Sequence, residues 1–303
     1  MKHDGIPAFT LEPERRAPEK TGAETSRTPR FIEDVAAGRV ELPVIPAIVQ
    51  QLMKALRDPN VDARAVSQAL ARDPVLTSKV LRLANSSFFG GQRSMSSVDA
   101  AVGLIGTAAL NRLVVACGVS SSFSDVPGID LQQFWRDARL AANAAHQLAA
   151  RAGADPDEAF LCGLLHAAGH LILCRSYPEV ADAMFTGFAR ERGAALAAIE
   201  MEAFGIDHPA VGALWVESIK FPQAVAEAIG KSTRPAHEIA SALGLSLHGA
   251  CVLAAAVDQH AGAEVALAAL HPALRARLVL ANGEPDPAFS KLYEGLCEAE
   301  KPI

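Results

Sequence analysis

The sequence predicts an all-α protein, a multi-helix bundle led by a cluster of short helices, and three observations carry that reading. Alanine makes up roughly a fifth of the 303 residues, well above ordinary usage, while aromatic residues are only 5%. Small side chains at that density suit helices in close contact, not a sandwich or barrel, which would want more β-branched and aromatic residues. Apolar residues recur at intervals of three and four along most of the chain, and no run reads as a strand or a fixed-period repeat. Helix start signals such as Asp73-Pro74 and Asp155-Pro156, in which the carboxylate accepts orphan N–H bonds and proline pre-sets φ, punctuate the pattern.

Residues 1–30 carry prolines and mixed charges without an apolar stretch, so a disordered tail is expected. Leu42-Pro43-Val44-Ile45-Pro46 is extended, because each proline biases its predecessor away from helix. Pro46 then opens a helix carrying Ile48, Val49, Leu52 and Leu56 on one face. Asp62 starts another with Val66, Ala69 and Leu70 inward, and Asp73-Pro74 starts a third with Leu76, Val80 and Leu83. Asn85 to Gly91 is a turn-rich loop. Ser96 or Ser97 caps a segment with Val98, Val102 and Ile105, which Gly106-Thr107 divides from a second carrying Leu110, Leu113, Val114 and Cys117.

The second half predicts longer helices. Asp130 to Arg151 is one. Asp155-Pro156 opens another running to about Arg175, apolar on all sides and therefore central. Further helices are expected at 178–192, 194–204, 208–219 and 222–231, then two between Pro235 and Asp258 divided near Gly244. The last stretch, 264–298, breaks at Pro272 and between Gly283 and Pro287.

Bulk features exclude several function classes. The 28 Lys and Arg against 34 Asp and Glu leave a net charge of −6, which disfavours a fold-wide nucleic-acid footprint. Arg64, Arg72, Lys79, Arg82 and Arg93 form a local basic set, read most simply as a solvated face. The five cysteines include no C-x-x-C pair and sit in apolar patterns, as expected of reduced core residues in a cytoplasmic protein. No run of 18 apolar residues is present, so no membrane span is expected. Gly230-Lys231-Ser232 lacks the preceding strand and glycine of a phosphate loop.

Five side chains are candidates for chemistry. His166 and His170 lie four apart, on one face of the expected central helix, where buried imidazoles need partners and a metal is one way to supply them. The simpler alternative is a pair of core histidines bonded to carbonyls or carboxylates. Asp207 and His208 open a later helix, where Asp207 can act purely as an N-cap. Asp137 follows Trp135 on a long helix and reads alternatively as a salt-bridged surface acid. Periodicity alone does not say whether these groups meet.

Taken in order, several stretches resemble the HDOD domain family. Leu42-Pro43-Val44-Ile45-Pro46 is similar to the Leu-Pro-x-Leu-Pro segment that opens that domain, and Asp73-Pro74-Val75-Leu76-Thr77 with Leu81 to Ser86 resembles its most diagnostic stretch. Ser97 to Gly106, Ala159 to His166, Phe204 to Gly212 and Phe221-Pro222 resemble later segments, in order, from about 41 to 231. The resemblance implies an HD-like helical bundle related to metal-dependent phosphohydrolases, and a bacterial signalling output role. It divides the chain into a tail at 1–30, an HDOD domain at 31–235 (short helices 31–125, HD-like part 126–235) and packing helices at 236–303.

It also implies what is missing. Active HD enzymes hold one or two metals with a His, a His-Asp pair and a later Asp. Here the pair reads His166-Ala167, and an alanine methyl neither ligates nor accepts a proton. Asp137 stands where the first His is expected, His170 replaces a frequent Lys, Lys231-Ser232 stand near a missing His-His, and Ala255 falls where an Asp is expected. The bridging carboxylate being absent, the resemblance implies a vestigial site at Asp137, His166, His170, Asp207 and His208, with no cofactor and no catalytic residue. Such a protein is expected to act by contact with signalling proteins, with a small nucleotide as a conceivable ligand and no membrane partner. Trp215, Phe221 and the Phe88-Phe89-Gly90-Gly91 loop are candidate contacts. The chain leaves no room for a receiver or cyclase domain, so its input is expected from a separate partner.

Overall fold

A computed structural model describes residues 30–56, 63–85, 97–188, 192–280 and 284–300. The expected tail, the loop at Phe88 to Gly91, and Arg93 lie outside the described residues.

The N-terminal part is built from α1 (Phe31–Ala36), α2 (Ala47–Leu56), α3 (Ala63–Ala71), α4 (Pro74–Ala84) and α5 (Val98–Ser121). Asp73 caps α4 by accepting from the Leu76 amide at 2.9 Å, with Pro74 in the first turn as the sequence signals. Helices α2, α3 and α4 all lie against α5, which therefore serves as their common spine. That spine is two segments: Gly106 sits at φ 78°, ψ 170°, a conformation open to glycine, and kinks the helix where Gly106-Thr107 predicts a division. The extended Leu-Pro segment ahead of α2 is fixed from afar. Trp215, fully buried, donates its indole N–H to the Pro43 carbonyl at 2.7 Å, and Ser122 donates to the Val44 carbonyl at 3.1 Å; α1 is held likewise, Tyr177 donating to Asp34 at 2.6 Å. Trp215 and Phe221 are core residues, not exposed contacts.

The bundle follows, with α6 (Leu131–Ala152), α7 (Pro156–Leu165), α8 (Ala168–Ser176), α9 (Pro178–Phe188), α10 (Gly193–Phe204), α11 (His208–Ser218) and α12 (Gln223–Gly230). After a 3₁₀ turn at Ala236–Glu238 come α13 (Ala242–Asp258), α14 (Ala263–Ala269), α15 (Pro272–Arg275) and α16 (Pro287–Glu300). Asp130 caps α6 and Asp155 caps α7, while Gly153 ends α6 in the left-handed region at φ 83°. Helix α13 lies along α6 and α7, and α16 also meets α6, so the C-terminal helices cover the bundle. The only extended pairing among the described residues is one bridge, Val279 to Pro285.

Two expectations about helix continuity are corrected. The helix expected from Asp155 to Arg175 breaks at His166-Ala167, where Ala167 takes φ −106°, ψ 3°, and restarts as α8. His166 and His170 therefore do not share one helical face. Gly244 does not divide the stretch after Pro235 either. It lies in the first turn of α13, where its amide donates to the capping Ser241 hydroxyl at 3.0 Å, and the division falls before Ser241.

Small residues set the helix spacing. A Cβ at Gly163 would stand 2.5 Å from the Ala142 Cα, because α7 rests directly on the α6 backbone. A Cβ at Gly169 would stand 2.1 Å from the His208 carbonyl oxygen and 2.7 Å from the Gly212 nitrogen, so α8 and α11 touch through their main chains. Two stretches, Val98–Ser121 and Pro156–Ser176, are long and apolar enough to cross a membrane by length and composition alone; half of the first and 78% of the second are buried within the protein. The cysteines are all free thiols.

Gly169→Ala is expected to destabilise the protein by about 2–3 kcal/mol, since the obstructing atoms are backbone. Gly103→Ala, where an added Cβ meets nothing within 4 Å, is expected to be neutral or up to about 1 kcal/mol stabilising. Chemical denaturation of the two variants beside the parent checks both.

Candidate functional site

Helix α10 brings an acid into the core. Leu196, Ala197, Glu200 and Phe204 recur at helical spacing and are all buried, so Glu200 occupies an apolar-face position. Its carboxylate is 0% exposed. A buried carboxylate needs several donors, and three are supplied. His170 Nδ1 lies 2.6 Å from one oxygen. His208 contributes its ring Nδ1 at 2.5 Å and its backbone N–H at 2.7 Å to the other. Burial alone would raise the carboxyl; the hydrogen bonds from His170 and His208 outweigh it and bring it down to about 2. The Cys174 sulfur lies 3.7 Å from the His170 Nε2, and burial pushes that thiol well above its ordinary range.

His166 stands at the break between α7 and α8. Its Nδ1 is 2.7 Å from the Gly163 carbonyl, which can only accept, so the neutral ring carries its lone pair on Nε2. Burial pushes this imidazole down to about 4, the carbonyl opposes the shift, and neighbouring His208 adds to it. His170, Cys174, Glu200 and His208 are buried, whereas His166 is half-exposed.

The five sequence candidates thus separate. His170 and His208 meet through Glu200, and His166 lies within electrostatic reach of His208. Asp207 is the N-cap of α11, accepting from the Ala210 amide at 3.0 Å. Asp137 belongs to another neighbourhood: Gln133 donates to it at 2.6 Å, burial raises its pKa, and Arg192, Asp258 and Arg136 are the charges it feels. Sequence reasoning missed Glu200, although its place on the apolar face of α10 was a usable signal. It also missed Asp258, one turn beyond Ala255.

A metal site of the HD kind does not fit this donor set. Ala167 offers no ligand, and among the described residues no three His, Cys, Asp or Glu side chains are grouped to hold a metal ion.

An all-helical bundle with short helices ahead of it and a histidine at the central helix break defines the class as HD-like. The family model for the HDOD domain matches residues 42–235; the chain belongs to the HDOD domain family. It is similar to a presumed phosphohydrolase from Shewanella amazonensis, with 30% identity, TM-score 0.69, and 89% of this chain and 94% of that one covered. An HDOD domain protein of unknown function from Geobacter sulfurreducens shares the fold at 21% identity and TM-score 0.67, over 88% and 92% of the two chains. A curated, uncharacterised Treponema pallidum protein is 22% identical over 206 residues, 67% of this chain; the match spans 40% of that relative's length.

Glu200→Ala leaves three buried donors without an acceptor and is expected to cost about 3 kcal/mol or more. The pH dependence has two separate limbs. His166 is neutral when folded, so as pH falls below about 6.5 the unfolded chain takes up a proton first, and stability drops until about pH 4. Glu200 has a depressed folded pKa, so its contribution holds above about 4.5 and is lost as pH falls toward 2. His166→Gln is expected to flatten the upper limb, leaving the residual slope of His146 and His248, which burial also lowers. Urea titrations across pH 4–7 check this.

Proposed function

We propose that this chain is a non-catalytic output module of bacterial signalling, acting in the cytoplasm through contact with signalling proteins. The observation that carries this reading is the fate of the HD position. The residue after His166 is alanine, the helix breaks there, and the neighbouring imidazoles of His170 and His208 hold a structural carboxylate. A hydrolytic metal needs open coordination positions and a carboxylate to orient water. In this arrangement the polar groups satisfy one another, which suits a rigid body presenting a surface. HDOD membership agrees with such a role. Among these five core groups, His166 alone is half-exposed, so a small nucleotide recognised at this position would meet its Nε2.

One observation favours a second reading. The Shewanella relative at 30% identity is named as a presumed phosphohydrolase, and a metal-dependent enzyme acting on nucleotides or cyclic dinucleotides would carry a tightly held metal.

The two readings part on one preparation of the full chain from its native host. The module reading expects far less than one equivalent of transition metal by elemental analysis. It also expects no phosphate release from nucleotide substrates with added manganese or iron, and the same co-purifying proteins with parent and His166→Ala. Stoichiometric metal with phosphate release that collapses in His166→Ala would overturn it.

A further inference from the structure

The C-terminal helices meet α13 beside a second pair of histidines. His248 on α13 and His271 at the start of α15 face each other edge to face, with ring centroids 6.4 Å apart and planes at 88°. Both residues are half-buried. His271 is the N-cap of α15, and the Ala273 amide donates to its Nδ1 at 3.1 Å. That bond uses the Nδ1 lone pair, so the neutral ring keeps its proton on Nε2. A second proton would go to Nδ1 and set one N–H against another, and the cap would be lost.

The turn capped in this way is pressed onto the bundle. Leu270 and Leu274, on either side of His271, are buried. A Cβ at Gly249 would stand 2.6 Å from the Leu274 Cδ2, 2.9 Å from the Leu148 Cδ1 and 3.6 Å from the Leu270 Cδ2. Leucines from α15, α6 and the end of α14 thus meet the bare main chain of α13, one residue after His248. Arg275 donates to the Ala268 carbonyl at 3.0 Å, which ties α15 back to α14.

No counter-charge serves the pair. Among the described residues, no carboxylate forms an ion pair with either ring. The one charge acting on the His248 ring is that of His271; the helices packed against α13, namely α6, α7, α12, α14 and α16, add none. On α14 the titratable side chain is Glu264, in the first turn, at the opposite end from His271. On α6, His146 is bonded to the Pro156 carbonyl at 3.0 Å and Arg151 pairs with Asp286 at 2.7 Å. Burial, and then the facing His271, hold His248 below its ordinary range.

We propose that His248 and His271 form a pH-sensitive clasp: mild acidification makes α14 and α15 release α13 and bares the apolar seat at Gly249, while the bundle keeps its fold. The released state opens both rings to protonation as pH falls below about 6.5. The docked state accepts a proton on His271 only by losing its cap, and one on His248 only beside a second charge. Docking therefore holds above that value and weakens below it. The clasp stands apart from Glu200 and its histidines on α8, α10 and α11, and from the signalling role.

Hydrogen exchange of the full chain at about pH 7.5 and 5.5, corrected for the intrinsic rate at each pH, tests it. At the lower pH, residues 263–278 of the parent are expected to be less protected than α6 and α7. Their loss of protection between the two pH values is expected to be roughly tenfold greater in the parent than in the double variant His248→Gln, His271→Asn, the factor that one histidine protonated only in the released state contributes. Asparagine keeps a capping acceptor without titrating, and the double variant retains His146 and His166, so their share of the pH dependence cancels. Should the double variant fail to fold, His271→Asn alone carries the comparison, with a difference of roughly threefold or more expected. Equal losses in parent and variant would overturn the clasp, as would exchange of 263–278 only in step with α6 and α7. A variant already loose at the higher pH would mark His271 as a structural cap and overturn the switch as well.

Discussion

The Glu200 carboxylate is the constraint on which the centre of the molecule turns. An ionised carboxylate in an apolar interior is tolerable only when its oxygens are hydrogen-bonded, and here they bind donors from two other helices. Those bonds place α8, α10 and α11 relative to one another. Gly169 makes the same joint from the other side, because only a residue without a Cβ lets α8 rest on the main chain of α11 at His208 and Gly212. Directional bonds fix the angle of approach, and the missing side chain fixes its depth.

This joint gives the histidines near the HD position a structural partner in the buried Glu200 carboxylate. A ring that bonds a buried carboxylate through Nδ1 resembles a ligand oriented from behind, as in metal sites. The difference lies in front of the ring. His170 has the Cys174 sulfur beside its Nε2, and His208 is enclosed. His166 is bonded to a carbonyl and placed at a helix break, and burial keeps it neutral. Similar residue types can thus hold a metal or hold a fold, and in this protein His170 and His208 tie helices together through Glu200.

Most helix boundaries were legible because they rest on local chemistry. Asp73, Ser97, Asp130, Asp155 and Asp207 each accept an amide of the next turn, and each is a residue type that favours that position. The kink at Gly106 was legible for the same reason. The break at His166-Ala167 was not, since neither residue disfavours helix strongly and the interruption is tied to tertiary contacts at Gly163 and Gly169. Of the site, the histidines could be picked out by type. Their common partner could not be picked out without noticing an acid on an apolar helix face.

The indole of Trp215 bonded to the Pro43 carbonyl has a consequence for the order in which the chain is completed. The two residues are 172 positions apart, and the Tyr177 bond to Asp34 spans 143. On a ribosome the proline segment emerges early, but its buried hydrogen-bond partner is made much later. The first part of the domain to be synthesised therefore acquires its final fastening only after α11 has been translated, and until then the α2–α5 helices have an unclosed side. Closure by contacts of such long sequence separation is slow compared with forming the helices themselves, so the interval is one in which a nascent chain shows surface that the finished protein hides.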